Sequence, residues 1–162
     1  MAQDRLIALL DALLAGQVEF VIIGGLAAVL HGAPVTTADI DIVHRKTPDN
    51  IRRMLDVLLP LHARFRADPR NLPPTASALG GQGHVLLDSD LGPIDALCEI
   101  GPGQDYDWLL PRSDTLTRGD RSVRVVDLPT LIALKVAAGR LKDRLTIPIL
   151  VATLEERARS GD

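Results

Sequence analysis

Two aspartates separated by one residue, Asp39 and Asp41, stand in the apolar stretch Ala38-Asp39-Ile40-Asp41-Ile42-Val43. Read as a strand, 38–43 turns its side chains alternately to opposite faces. Asp39 and Asp41 then share one face, and Ile40 and Ile42 the other. At roughly 3.3 Å per residue the two carboxylates are anchored about 6.6 Å apart. Leaning inward, they could bracket divalent cations about 3.5–4 Å apart, the spacing of two-metal phosphoryl-transfer sites. Aspartate is disfavoured inside strands, so the pair reads as a site and not as a solvated face.

A third carboxylate, Asp95, lies inside Ile94-Asp95-Ala96-Leu97, which reads as a buried strand. A buried, unpaired carboxylate is costly. Asp95 is therefore expected to meet a cation, a metal or strong hydrogen bonds, unless it faces solvent at a hairpin edge. Asp88 and Asp90 form a second Asp-x-Asp, but Ser89 and Gly92 beside them are turn residues. That pair reads as a solvated turn.

Ahead of the acidic stretch, Val21-Ile22-Ile23 reads as a buried strand, broken by Gly24-Gly25 and followed by a helix over 26–30. Paired glycines at such a turn let backbone amides approach a phosphate at a helix N-terminus. Thr36 and Thr37 precede the acidic strand, and either hydroxyl could bond a phosphate or a neighbouring backbone group; Thr37 is favoured for the site.

Gly24-Gly25-Leu26-Ala27, His31-Gly32 and Thr37-Ala38-Asp39-Ile40-Asp41, in that order, resemble the polymerase-β-like nucleotidyltransferase superfamily. The likeness is greatest to its minimal bacterial branch, which includes the AbiEii-type toxins of toxin–antitoxin systems. The resemblance implies an α/β (α+β) nucleotidyltransferase fold with one mixed sheet flanked by helices. It implies Asp39, Asp41 and Asp95 as ligands of Mg²⁺ or Mn²⁺ and as the catalytic acids. Gly24, Gly25 and Thr37 would meet the nucleotide. Leu131 to Lys135, then Gly139-Arg140-Leu141-Lys142-Asp143, matches the branch's lysine-bearing tail, so Lys135 and Lys142 would hold the triphosphate, with Asp143 orienting a nearby base. The implied activity moves a nucleoside monophosphate from an NTP to an acceptor hydroxyl on RNA, protein or a small molecule, with a cognate partner protein if the toxin likeness extends that far. Two positions depart from the pattern. Leu26 stands where Ser or Thr is usual, and Val35 where an arginine, a bidentate phosphate donor, often stands. A non-catalytic domain that keeps the fold and binds a nucleotide or a protein is the alternative. A generic nucleotide-binding module is disfavoured because no G-x-G-x-x-G or Walker pattern is present.

The elements that must hold these residues follow from periodicity. Leu6, Leu9, Leu10, Leu13 and Leu14 predict an amphipathic helix over 3–14. Strands are expected at 19–23 and 38–43, then a helix capped by Thr47 with Pro48 at its first position, running to about Leu59. Residues 64–83 read as loop, 84–87 and 93–98 as a hairpin, and 101–111 as loop. A second hairpin spans 112–118 and 121–126. A helix capped by Asp127 ends near Gly139, and a last one covers 149–158. The whole is expected to be one domain over 1–162, with a core at 17–127 and C-terminal helices at 128–160.

With 162 residues and a net charge of −3, the chain can bury a core and lacks the basic balance of a dedicated nucleic-acid binder. Aromatic content is 2%, so Leu, Val, Ile and Ala must fill that core. Cys98 is a lone cysteine in an apolar run, which suggests a buried, inert thiol and no disulfide framework. His31 is expected to be structural, and His44, His62 and His84 lack zinc-ligand spacing. The opening Met-Ala-Gln-Asp-Arg-Leu lacks a secretory pattern and no apolar run approaches a membrane span, so a cytoplasmic setting is expected.

Overall fold

The computed structural model describes residues 2–161. The opening leucine stripe folds as α1 (Ala2–Ala15), burying Leu6, Leu9, Leu10 and Leu13 against the sheet. The chain then runs through β1 (Phe20–Ile23), α2 (Gly24–Leu30), β2 (Ile40–His44) and α3 (Pro48–Leu58). After β3 (Arg64–Phe65) and α4 (Ala76–Leu79) comes the hairpin of β4 (His84–Ser89) and β5 (Gly92–Leu97). A short α5 (Tyr106–Leu109) leads through a 3₁₀ turn to a second hairpin, β6 (Ser113–Arg118) and β7 (Arg121–Val126). Two helices, α6 (Leu128–Ala138) and α7 (Leu141–Arg159), complete the described chain.

Among the described residues the strands form one seven-stranded sheet in the order β3-β4-β5-β2-β1-β7-β6. It is mixed: β2 runs parallel to β5 and β1 parallel to β7, while β1–β2 and both hairpins are antiparallel. Alternation along β2, β4 and β5 sends Ile40, Ile42, Val85, Leu87, Ile94 and Ala96 to one face, all of them buried. Each of the Ile, Val and Leu side chains contributes about 1.5–3 kcal/mol on burial. The same alternation puts Asp41 and Asp95 on the other face, which α6 partly covers. Asn50 locks the base of this arrangement, since its Oδ1 accepts from Glu19 N at 2.7 Å and its Nδ2 donates to Glu19 O and Arg45 O.

Several sequence-derived boundaries shift. The acidic strand starts at Ile40, so Asp39 precedes it in an exposed bend instead of sharing a pleat with Asp41. Residues 64–83 hold β3 and α4, and 101–111 hold α5, each helix capped by a side chain: Thr75 Oγ1 and Asp105 Oδ1. The last helix begins at Leu141, ahead of the expected 149, and carries Pro148 inside it. Asp88 belongs to β4, and the turn narrows to Asp90-Leu91. Among the described residues, no helix is long and apolar enough to cross a membrane.

Candidate active site

Strand register brings two of the three acids together. Asp41 and Asp95 are direct partners across the parallel β2–β5 pair, so their side chains leave from one face. Ile23 lies opposite Asp41, and Leu86 opposite Asp95, on the outer sides. Burial pushes the Asp41 carboxyl up to about 7; a hydrogen bond to Asp95 and the charges of Asp95 and Asp39 add to this, and Lys142 opposes it. Two carboxylates at one site cannot both ionise cheaply.

Asp95 Oδ1 lies 2.8 Å from Arg66 Nη2. That buried oxygen nevertheless has no partner at a hydrogen-bonding angle. The contact is an ion pair and not an aligned hydrogen bond, which leaves an oxygen lone pair of the acidic pair unfilled.

The two glycines serve this pair sterically. Gly24 has φ +69°, and a Cβ there would collide with Asp41 Oδ2. At Gly25 an added Cβ would come within 2.9 Å of Thr37 Oγ1. Helix α2 starts at Gly24 itself, with Ile23 as its N-cap and no side-chain cap bond. The glycines therefore make room for a carboxylate and a hydroxyl of this chain. Thr37 Oγ1 is within 3.2 Å of Asp39 O and accepts from Asp39 N at 3.4 Å, shaping the bend that presents Asp39.

The carboxylates open into a cleft of about 410 Å³, with Gly24, Leu86, Leu97, Leu131 and Lys135 among its walls. Lys135 is held there by Asp143, whose Oδ1 is 3.4 Å from Nζ and whose Oδ2 accepts from Arg140 Nε at 2.7 Å. The Asp143 side chain is 0% exposed. Burial alone would raise its pKa, but the hydrogen bond and charge of Arg140, with Lys135, hold it below the usual carboxylate range. Lys142 is exposed and acts on Asp41 by charge.

No protein-family model matches the chain, and no curated protein matches it in sequence. A crystal structure from Thermotoga maritima, of a protein provisionally assigned as a nucleotidyltransferase, matches in three dimensions. The match covers 94% of this chain and 91% of the other, at a TM-score of 0.54 and 19% identity. The chain has a nucleotidyltransferase-like fold.

Within that nucleotidyltransferase-like fold, Asp41, Asp95, Gly24 and Lys135 meet at one cleft, and the exposed Asp39 is not among its walls. Asp41 and Asp95 supply the hard oxygen donors that Mg²⁺ and Mn²⁺ take, and the unfilled Asp95 Oδ1 fits a cation. Among the described residues, no three His, Cys, Asp or Glu side chains converge as a metal cluster, so Asp39 is not gathered with the other two. Leu26 is 5% exposed and Val35 packs against the core, so both departures from the family pattern are packing residues.

Arg66, which pairs with Asp95, was passed over by sequence reasoning. It sits in a stretch read as loop, and only the β3–β4–β5 register carries it across to Asp95. Asp88, read as a solvated turn residue, accepts from Arg66 Nε at 3.2 Å. His31 proves structural: it is buried, its Nε2 lies 2.7 Å from Val126 O, and its Nδ1 is 2.8 Å from Arg157 Nη1. The carbonyl fixes the tautomer, with Nε2–H donating and Nδ1 accepting. His44, His62 and His84 are engaged separately by Leu79 O, Asp90 and Glu99 O. Cys98 is buried against the Leu79 carbonyl, and burial pushes its thiol up.

Proposed function

We propose that this chain, acting as one nucleotidyltransferase-like domain over 1–162, transfers a nucleoside monophosphate from an NTP to an acceptor hydroxyl. The observation that carries the reading is the Asp41–Asp95 pair. Two carboxylates are forced together on adjacent strands, with a glycine making room and a lysine in the same cleft. Burial, with the facing Asp95 carboxylate, raises Asp41 to about 7, and a bound cation would offset the charge of the pair. Mg²⁺ or Mn²⁺ held by Asp41, Asp95 and Asp39 would supply charge neutralisation and polarisation of the phosphoryl oxygens. Lys135, fixed by buried Asp143, offsets charge on the departing pyrophosphate, and Lys142 adds to the positive field. Asp95 accepts the proton of the acceptor hydroxyl. Gly24 and Gly25, with no side chain beside the carboxylates, would meet the triphosphate, and Thr37 would hold the backbone of Asp39.

The acceptor is an RNA end, a protein side chain or a small molecule. Resemblance to the AbiEii-type branch supports a toxin–antitoxin setting with a cognate partner protein. A lone, buried cysteine supports a cytoplasmic one.

A second reading has its own support. The unconverged Asp39 and the apolar Leu26 and Val35 favour a domain that binds nucleotide or protein without transfer. Calorimetric titration of ATP, CTP, GTP and UTP with Mg²⁺ or Mn²⁺ separates the two. The transferase reading predicts metal-dependent binding of at least one NTP, lost in Asp39→Ala/Asp41→Ala. Binding that ignores metal and survives the double substitution supports the binding module. No binding of any triphosphate sinks the transferase reading.

A further inference from the structure

Arg66 is tied into the sheet at four points. Its backbone N–H donates to Leu86 O at 2.9 Å, the carbonyl of the residue paired with Asp95. Its guanidinium then crosses β4: Nη2 donates to Leu87 O at 2.8 Å, Nε donates to Asp88 Oδ1 at 3.2 Å, and Nη2 reaches Asp95 Oδ1 at 2.8 Å. Asp88 and Leu86 lie on the face of the sheet that carries Asp95. The Arg66 side chain is 30% exposed and that of Asp95 21%, so the contact is shielded, though not sealed, from solvent.

We infer that Arg66, anchored by Asp88, is a positioning residue that sets the orientation of Asp95 for a divalent cation. This rests on the transferase reading above. A planar fork with several fixed donors orients a carboxylate where a flexible ammonium cannot. Because Asp88 and the Leu87 carbonyl hold the guanidinium independently of Asp95, it stays in place when the carboxylate turns to a metal. Arg66 faces Asp95 from the β4 side, whereas Asp41 faces it from β2. The guanidinium thereby holds Asp95 Oδ1 by charge without an aligned hydrogen bond, and leaves a lone pair of that oxygen for a cation. Partners of metal-ligating side chains matter in this way generally, and their loss weakens metal binding about 10–100-fold. The arrangement also gives Asp88 a purpose: it is an anchor for the arginine and not a ligand.

The test is Mn²⁺ binding to the full chain, followed by the paramagnetic signal of free Mn²⁺, with thermal melting alongside. Arg66→Ala is expected to weaken Mn²⁺ binding about 10–100-fold. Asp88→Asn, isosteric at a side chain 40% exposed, is expected to weaken it less while melting as wild type does. Arg66→Lys restores the charge without the fork, and its affinity is expected to stay below wild type. If Arg66→Ala does not fold, Asp88→Asn decides the matter. Unchanged affinity in folded Arg66→Ala or in Asp88→Asn, tighter binding, or full rescue by lysine would each overturn the assignment. A wild-type chain that binds no Mn²⁺ instead overturns the transferase reading itself, and this inference with it.

Discussion

Asp41 and Asp95 face each other as register partners on neighbouring parallel strands, and Gly24 stands where any larger side chain would strike the Asp41 carboxylate. The crowding is built from backbone geometry. Its consequences are measurable without knowing the acceptor.

The first is a pH dependence. Asp41 is raised from 3.8 to about 7, so the folded chain keeps a proton that the unfolded chain releases above 3.8. Its contribution to stability is complete below that value and is lost as pH rises toward 7. Chemical denaturation of the metal-free wild type and of Asp41→Asn, compared across pH 4–8, isolates it. The wild type should lose a few kcal/mol relative to the variant over that window, at 1.36 kcal/mol per pKa unit. A difference independent of pH would show that Asp41 carries no such proton.

Gly24→Ala should cost more than Gly25→Ala. The first combines a positive φ with a collision at Asp41, whereas the second crowds only Thr37. Thermal melts should place Gly24→Ala about 1–3 kcal/mol below wild type, and its Mn²⁺ binding should fall with the displaced carboxylate. Equal melting of the two variants would refute this ordering.

Asp143 links α7 to the cleft by holding Lys135 and Arg140 from a fully buried position. Removing one partner of a buried ion pair strands the other, at a cost of about 3–5 kcal/mol when burial is complete. Arg140 is 59% exposed, so Asp143→Asn should fall at or below the lower end of that range. NTP affinity should fall in Asp143→Asn as it does in Lys135→Ala, since the lysine loses its anchor. Wild-type affinity for NTP in folded Asp143→Asn would dissociate Asp143 from the site.

Cys98 should resist thiol reagents in the native chain and react on unfolding. Its side chain is buried against the Leu79 and Ala78 carbonyls, and burial disfavours the thiolate. Rapid modification under native conditions would contradict that placement.

The acids were legible because aspartate in an apolar strand violates local preference, and Asp95 and Asp41 both do so. Thr47, Asp127 and Gly139 marked helix ends correctly because each acts within a turn or two of the chain. Arg66 was not legible, since its partners depend on a register between strands distant in sequence. The glycines were recognised as special, and the structure adds a steric reason: a Cβ there would crowd Asp41 and Thr37. The last helix was expected from 149, whereas α7 starts at Leu141 and carries Pro148, a residue usually disfavoured in a helix interior.

The most direct measurement is anomalous diffraction from crystals grown with Mn²⁺ and a non-hydrolysable NTP. The account predicts an anomalous peak at coordination distance, about 2.1 Å, from a carboxylate oxygen of both Asp41 and Asp95, with the triphosphate directed toward Lys135. Bound nucleotide with no peak between those two aspartates would contradict it.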